Sequence, residues 1–203
     1  NDQSVIACNV YRGNSTLSQT IYFNENTESK VHVDTDGERV VLASGTRLRT
    51  YIDNGSSFTL EQELPINEGI QTISISGNFI FVTTPKSGSA EGVKWFKRMG
   101  NKWEYQGLVL EGLNISKAVI EGSKLVALTY WSMLTYSFDG STWGNTNYFS
   151  TNGTNQDVDM DGDYIILGET TNYYPGTPSI GQARVFHWAG DTWQVEDYLI
   201  PVD

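Results

Sequence analysis

Val158-Asp159-Met160-Asp161-Gly162, followed by Tyr164-Ile165-Ile166-Leu167, is the stretch of sequence that decides the fold. Apolar and polar side chains alternate up to an Asp-Gly pair, and a β-branched and aromatic run follows. An Asp-Gly pair suits a tight turn that needs a positive φ at glycine, and both flanks are too short for helices. The stretch therefore predicts a β-hairpin.

The same pattern recurs along the chain, and each copy predicts another hairpin. The other copies are Val31 to Gly37 with Val40-Val41-Leu42, Ile73 to Gly77 with Phe79-Ile80-Phe81-Val82, and Ala118 to Gly122 with Leu125-Val126-Ala127-Leu128. A second hairpin follows each first one, with a turn glycine between two aromatic residues that we expect in the core. These sets are Tyr51/Gly55/Phe58, Phe96/Gly100/Trp103, Tyr136/Gly140/Trp143 and Phe186/Gly190/Trp193.

Two hairpins per repeat make a four-stranded antiparallel sheet, and the repeat has a period of roughly 40 to 50 residues. Such a period is typical of the blades of a β-propeller and not of a β-sandwich. The sequence thus predicts an all-β chain, essentially without α-helix, of four full blades plus one partial blade. The expected boundaries are 1–27 for the partial blade and approximately 28–65, 66–110, 111–150 and 151–203 for the full blades.

The two ends of the chain suggest that the repeat is interrupted. Val5-Ile6-Ala7 aligns with the second strand of a blade and Val10 to Asn14 with the following hairpin, while Leu199 to Asp203 aligns with the end of a fourth strand. One innermost strand is therefore expected to be missing. We expect a piece of a larger propeller; the alternative is a five-bladed ring completed by another chain or by further residues. Open end faces would invite association with further chain.

Two blades carry a resemblance to a known family. The FG-GAP repeat of integrin-α-like propellers resembles one stretch of the last blade: Gly162 to Glu169, a polar loop, Gly181 to Phe186 and Gly190-Asp191-Thr192-Trp193. In an earlier blade, Thr83-Thr84-Pro85 resembles the Gly-Ala-Pro segment of the same repeat, and Gly92 to Phe96 resembles its return strand. The resemblance implies an extracellular adhesion or recognition propeller. It also implies that calcium is often carried in the loop between the first two strands.

Four alternating aspartates are the candidate ligands for such a calcium ion, which prefers hard carboxylate oxygens. They are Asp157, Asp159, Asp161 and Asp163. The integrin-like loop would need a further acid at Ile165, and an EF-hand would need a glutamate at Gly168; neither is present. The alternative is that Val158 and Met160 face the core while the aspartates point to solvent.

No catalytic machinery stands out in the sequence. Ser137 to Trp143 resembles an Asp-box, the structural hairpin motif of sialidases and related propellers, but the few arginines fall at no positions that would match a sialidase site. His32 and His187 lie far apart in strand-like segments, without metal ligands at the usual spacing. We therefore expect a protein that is not an enzyme and has no cofactor other than a possible calcium ion.

Adjacent aromatic residues are the candidate ligand-binding positions. Tyr173 and Tyr174 lie in a loop with nearby proline and glycine, and Tyr130-Trp131 lies in the neighbouring blade. Their flat faces suit a sugar ring or a peptide. The alternative is packing onto an adjacent blade or subunit.

The charge and the sequons indicate the compartment and the partners. A formal net charge of -11 disfavours phosphate backbones and anionic lipids, and no window is apolar enough to span a membrane. The single cysteine, Cys8, cannot form an internal disulfide. Possible glycosylation sites are Asn14, Asn54, Asn114 and Asn152.

Together these features predict a secreted or cell-surface glycoprotein that acts as a binding or assembly module. We expect its partner to be another protein, or further copies or segments of the same protein, contacted through loops. The main alternative is a carbohydrate-binding propeller, which predicts equivalent aromatic residues in one loop of every blade. A sialidase-like hydrolase is a third hypothesis, and it predicts acids and arginines at the mouth of the central channel.

Overall fold

The computed structural model describes residues 5–12, 16–24, 30–85, 92–151, 154–170 and 181–200. Within these ranges every regular element is a β-strand. The N-terminal hairpin consists of β1 (Val5–Arg12) and β2 (Thr16–Asn24), and four antiparallel four-stranded sheets, blades 1 to 4, follow it. The described ranges contain no helix that is long and apolar enough to span a membrane.

Each blade is a meander in which consecutive strands are neighbours. Blade 1 contains β3 (Val31–Thr35), β4 (Arg39–Ser44), β5 (Arg47–Asp53) and β6 (Phe58–Pro65). Blade 2 contains β7 (Thr72–Ser76), β8 (Phe79–Thr83), β9 (Val93–Met99) and β10 (Lys102–Val109). Blade 3 contains β11 (Lys117–Glu121), β12 (Lys124–Leu128), β13 (Ser132–Phe138) and β14 (Trp143–Ser150). Blade 4 contains β15 (Asn155–Asp161), β16 (Tyr164–Thr170), β17 (Gly181–Trp188) and β18 (Trp193–Leu199).

The predicted turn glycines explain where the strands end. In the first hairpin of each blade the glycine has a positive φ, between 53° at Gly77 and 92° at Gly37. A side chain is strained in this conformation, so glycine is the residue that allows the chain to reverse. All four predicted first hairpins are confirmed.

The core lies between the blades and not within any one of them. In β4, for example, Leu42 packs towards the N-terminal hairpin, whereas its neighbour Val41 packs towards blade 2. We call the side facing the preceding sheet the incoming face and the opposite side the outgoing face. Strand residues alternate between these faces, so a strand covered on both sides has a continuous apolar run, as at 40–43 in β4 and 125–128 in β12.

The repeated aromatic residues of the second hairpins form part of these interfaces, as predicted. Phe96, Trp103, Phe186 and Trp193 are buried, as are Tyr51 and Phe58. In blade 3 the equivalent Tyr136 and Trp143 are only partly buried. The interface between blades 2 and 3 is therefore more open than the others.

A side-chain amide clasps neighbouring sheets at three interfaces. Gln62 of blade 1 accepts a hydrogen bond from the Trp103 backbone N–H at 2.8 Å and donates one to the Trp103 carbonyl at 3.1 Å. Gln19 makes the same pair of bonds to Phe58. Asn147 accepts from the Trp193 N–H at 3.0 Å. Each clasp follows a β-bulge of the outermost strand, which turns the amide towards the next sheet.

Gly107 occupies the clasp position of blade 2 and has no side chain to bridge the interface. A cavity of about 440 Å³ lies between blades 2 and 3, and Trp95, Gln106, Tyr136 and Trp143 contribute to its lining. Among the described residues the Trp143 indole N–H has no hydrogen-bond partner. The missing clasp accounts for the partial exposure of this interface.

The first strand differs from the expectation. Val5–Arg12 is one continuous strand that pairs with Thr16–Asn24 along its length, with a bulge between Val10 and Tyr11. The predicted break between Ala7 and Val10 was wrong, because Cys8 and Asn9 continue the pairing opposite Ile21 and Thr20. The described part of this sheet is thus a single hairpin that packs on the incoming face of blade 1.

Candidate functional site

Tyr130 and Trp131 lie in the short connection between β12 and β13 and are the most exposed aromatic pair among the candidates that the structure describes. Their exposed fractions are 59% and 54%. The ring centroids are 4.5 Å apart and the planes meet at 86°, an edge-to-face arrangement. The pair therefore presents ring surface to solvent, with the two rings in edge-to-face contact.

Hydrogen bonds within the turn fix its backbone. The Thr129 hydroxyl accepts from the Ser132 N–H at 3.0 Å and from the Trp131 N–H at 3.3 Å. The Thr129 N–H also donates to the Ser132 carbonyl at 2.9 Å. The threonine hydroxyl thus accepts hydrogen bonds from backbone N–H groups that have no partner in a neighbouring strand.

The start of blade 4 anchors the same turn from the other side. Thr151 donates through its N–H and its hydroxyl to the Trp131 carbonyl, at 3.0 and 2.8 Å. Asn155 donates through its backbone N–H to the Tyr130 carbonyl at 3.1 Å and through its side-chain amide to the Thr129 carbonyl at 2.9 Å. All three carbonyls are thereby bonded, so the backbone that carries the aromatic pair is fixed. Tyr173 and Tyr174 lie outside the described residues.

The four candidate calcium ligands do not converge. Asp157, Asp159 and Asp161 occupy one face of β15, while Val158 and Met160 are buried on the other. Residues that share a face of a strand are about 6.6 Å apart, too far for neighbouring carboxylates to share one ion at 2.3–2.6 Å. Among the described residues no group of three or more His, Cys, Asp or Glu side chains has a geometry that could hold a metal. Calcium remains a prediction from the resemblance.

Two of these aspartates pair with lysines of blade 3 instead. Lys117 lies 2.5 Å from Asp157, and Lys124 lies 2.6 Å from Asp163. The Lys124 ammonium, through its hydrogen bond and its charge, lowers the pKa of Asp163. The pairs join blade 3 to blade 4 at an exposed surface, where ion pairs contribute little stability.

The innermost strands of the four blades line a cavity of about 630 Å³. Its wall includes His32 and Asp34 from blade 1, Lys117 from blade 3, and Asp157 and Asp159 from blade 4. Burial raises the pKa of Asp34 and lowers the pKa of His32. The cavity thus has a mixed wall, in which apolar side chains such as Val33 and Val119 lie beside ionisable groups and acids outnumber bases.

In the Asp-box-like hairpin of blade 3, the aspartate side chain is bonded to its own turn. Asp139 accepts hydrogen bonds from the backbone N–H groups of Ser141 and Thr142, both at 2.8 Å, and from their hydroxyls. These donors hold the pKa of Asp139 far below its usual value. The carboxylate is thus occupied in closing the turn.

Two of the four sequons lie in the described residues, and both asparagines are exposed. Asn54 lies in a turn, where its side-chain oxygen accepts from the N–H groups of Ser56 and Ser57 at 3.0 and 2.8 Å. Asn114 lies between blades 2 and 3. Asn14 and Asn152 lie outside the described residues. Asn54 and Asn114 are therefore accessible to solvent, and glycosylation of the sequons stays a prediction.

The sequence reasoning missed the polar side chains that connect the blades. The most heavily bonded is Glu61, whose side chain is 9% exposed between Arg39, Arg98 and Trp103. The amide clasps were also missed, although two of the three lie four residues after a repeated aromatic position, Gln62 after Phe58 and Asn147 after Trp143. This spacing is the feature of the sequence from which these two clasps could have been predicted.

Comparison with known proteins gives the fold and nothing finer. No model of a known protein family matches the sequence, and no curated protein matches it significantly. A solved structure of a Lactobacillus plantarum protein is similar over 98% of this chain and 65% of its own, with a TM-score of 0.64 and 13% identity. The complex of KlAtg21 with the coiled coil of AgAtg16 has a similar chain, with a TM-score of 0.61, 12% identity and coverage of 92% and 62%.

A third neighbour occurs in a structure of S. cerevisiae Dbp5 bound to Nup159, Gle1, IP6 and ADP. It has a TM-score of 0.53, 10% identity and coverage of 89% and 50%. This chain therefore spans between half and two thirds of the length of these neighbours. The neighbours include β-propellers, and the repeated four-stranded sheets share their architecture, so the chain has a β-propeller fold. The FG-GAP resemblance stays a prediction.

Proposed function

We propose that this chain is a non-enzymatic binding module of an extracellular propeller, and that it recognises a protein partner through Tyr130 and Trp131. The observation that carries the proposal is the exposed aromatic pair on a backbone fixed by Thr151 and Asn155. Tyrosine and tryptophan dominate protein-binding hot spots because they offer a large contact area at a small entropic cost. A fixed backbone lowers that cost further.

Several other features support this reading. Similar chains occur in structures of protein complexes, among them the complex of KlAtg21 with the coiled coil of AgAtg16. The net charge of -11 and the exposed sequons at Asn54 and Asn114 suit an extracellular protein. The resemblance to adhesion propellers points in the same direction.

Peptide selection tests the proposal even though the partner is unidentified. Random peptides displayed on phage are selected against the whole chain, and their affinities are then measured for the double variant Tyr130→Ala, Trp131→Ala. We expect the dominant peptides to lose about thirtyfold or more in affinity, because truncating a hot-spot aromatic residue removes about 2 kcal/mol or more. The matched control is Tyr148→Ala, since Tyr148 is 63% exposed in the same blade but lies outside the turn.

The control should keep its affinity for the same peptides. If the selected peptides bind the double variant as well as the natural chain, the aromatic pair is not the recognition site. If a glycan array gives ligands that depend on Tyr130 and Trp131 while no peptide does, the carbohydrate-binding alternative replaces the proposal.

A further inference from the structure

The outgoing face of blade 4 differs from the outgoing faces of blades 1 to 3 in being uncovered. Val41, Phe81 and Val126 occupy equivalent positions on the first three faces and are all 0% exposed. Ile166 occupies this position in blade 4 and is 45% exposed. An apolar side chain that is buried in every other repeat is expected to be buried in blade 4 as well.

Other apolar side chains extend this uncovered surface across blade 4. Ile166 pairs with Val185 in the sheet, and Ala183 pairs with Leu199, which is 49% exposed. Tyr164, also 49% exposed, stacks beside His187 with 4.9 Å between the ring centroids. We call the surface formed by Tyr164, Ile166, Val185 and Leu199 the open face.

The innermost strands of the blades carry a second repeated feature, a side chain that accepts a hydrogen bond from the next blade. Three residues before the turn glycine, Asp34 of blade 1 accepts from the Ile75 N–H at 2.8 Å. At the same position, Ser74 of blade 2 accepts from the Ile120 N–H at 3.2 Å. Val119 stands at this position in blade 3 and has no acceptor atom in its side chain.

The residue directly before the turn glycine acts in the same way. Ser76 of blade 2 accepts from the Gly122 N–H at 2.9 Å. Glu121 of blade 3 accepts from the Gly162 N–H at 2.7 Å. Each of the two positions thus offers an acceptor to the following blade in two of the first three blades, whereas Asp36 of blade 1 accepts from the N–H groups of Glu38 and Arg39 in its own turn.

In blade 4 these two positions are Asp159 and Asp161. Both are exposed, and neither carboxylate has a hydrogen-bond partner among the residues that the structure describes. Asp197 stands at the clasp position, four residues after Trp193, and accepts a local hydrogen bond from the Tyr198 N–H at 2.7 Å. The polar acceptors on this side of blade 4 are therefore arranged like those of an interface between blades.

We propose that the open face of blade 4 is the docking surface for a further propeller blade. That blade would be an antiparallel sheet with an apolar incoming face, and its innermost strand would donate backbone N–H groups to Asp159 and Asp161. The alternating aspartates that resemble a calcium loop are, in this account, acceptors for the next blade. The docking surface is separate from the aromatic turn and goes beyond the proposed function.

Electrostatics distinguishes this occupant from a second copy docked face to face. A symmetric pair of open faces would bring Asp159 and Asp161 against the same residues of the partner copy. Like charges in such an arrangement disfavour association strongly. The backbone N–H groups of a blade carry partial positive charge and satisfy the carboxylates without an opposing charge.

A chain extended by one blade tests the proposal. A copy of residues 154–200 is fused after Asp203, so that residues 200–203 and Thr154 form a connector comparable with the natural connectors 66–71 and 151–154. The measurement is the rate of thiol labelling of Ile166→Cys in a Cys8→Ala background. We expect labelling to be about tenfold slower or more in the extended chain, because the added blade covers this position.

Variants of Asp159 and Asp161 distinguish docking through these two acceptors from mere covering of the open face by the added blade. In the extended chain, Asp159→Ala with Asp161→Ala should restore fast labelling, whereas Asp159→Asn with Asp161→Asn should stay slow, because an amide oxygen still accepts the N–H bond. Asp157→Ala is the matched control, since Asp157 already pairs with Lys117. Its labelling should remain slow.

Three results would overturn the proposal. One is equal labelling of Ile166→Cys in the natural and the extended chain. Another is the same slow labelling for the Ala pair and the Asn pair, which would show that the acceptors play no part. The third is a dimer of the natural chain, seen by sedimentation, in which Ile166→Cys is protected, because the occupant would then be a second copy.

Discussion

Replacing Ile165 by alanine is expected to lower the free energy of unfolding by about 4 kcal/mol, whereas replacing its neighbour Ile166 costs about 1 kcal/mol or less. Ile165 is 0% exposed and packs with Val126, Leu128 and Met133 of blade 3. Its removal leaves a cavity between two blades, which a close-packed interface cannot fill. Urea unfolding of the two variants, followed by tryptophan fluorescence, measures the difference.

Ile165 and Ile166 form a matched pair because they have the same side chain and are adjacent in the same strand. Ile166 lies on the open face, so its removal creates no enclosed cavity in this chain. Equal losses for Ile165→Ala and Ile166→Ala would show that blade 4 is buried on both faces or on neither. Either result would contradict the assignment of incoming and outgoing faces.

Replacing Glu61 by glutamine is expected to cost about 3 kcal/mol, since it removes the carboxylate that pairs with Arg98, while Arg39 keeps Glu38 at 3.3 Å. Glu61 lies 2.9 Å from Arg98 and 3.5 Å from Arg39, whose side chain is 7% exposed, and it accepts from the Trp103 indole N–H at 2.9 Å. Glutamine keeps the shape of the side chain but loses its charge. The measurement is again the free energy of unfolding in urea.

Glu63 of the same strand provides the control for this substitution. It pairs with Arg49 at 2.7 Å, but its side chain is 40% exposed. Exposed ion pairs contribute about 0–1 kcal/mol, so Glu63→Gln should have a small effect. A loss from Glu61→Gln as small as that from Glu63→Gln would mean that the Arg39–Glu61–Arg98 network does not stabilise the interface of blades 1 and 2.

The pH dependence of stability provides an independent measurement on Glu61. Burial raises its pKa, but the Trp103 N–H and the Arg98 and Arg39 guanidinium groups outweigh this, so that the folded pKa lies below its usual value of 4.5. A lowered folded pKa gives stability that is present above the unfolded pKa and is lost as the pH falls through the folded one. The difference in stability between the natural chain and Glu61→Gln should therefore be constant above about pH 5 and shrink below it. A constant difference down to low pH would contradict this charge assignment.

The sequence was sufficient for the hairpins because their signals are local. Asp36-Gly37 and Asp161-Gly162 specify turns within a few residues, and the alternation in Val158 to Asp161 specifies which side chains are buried. The error at Cys8-Asn9 came from aligning this segment with the later blades, which required a break where Cys8 and Asn9 in fact continue the strand pairing.

The candidate sites depend on contacts between blades, which a single sequence does not display. The acceptor role of Asp34 depends on the Ile75 N–H, some 41 residues away in the chain. The rigidity of the Tyr130-Trp131 turn depends likewise on Thr151 and Asn155. The aspartates of β15 were visible as a pattern, but their resemblance to a calcium loop concealed their equivalence to Asp34, Ser74 and Glu121.

Thiol labelling of single cysteines at equivalent positions tests the central claim most directly, namely that each outgoing face is covered by the next blade and that the face of blade 4 is open. In a Cys8→Ala background, Val126→Cys should react only as fast as the protein unfolds, because Val126 is 0% exposed. Ile166→Cys should react at nearly the rate of an unfolded thiol, because that position is 45% exposed. Equal rates at the two positions would contradict the account.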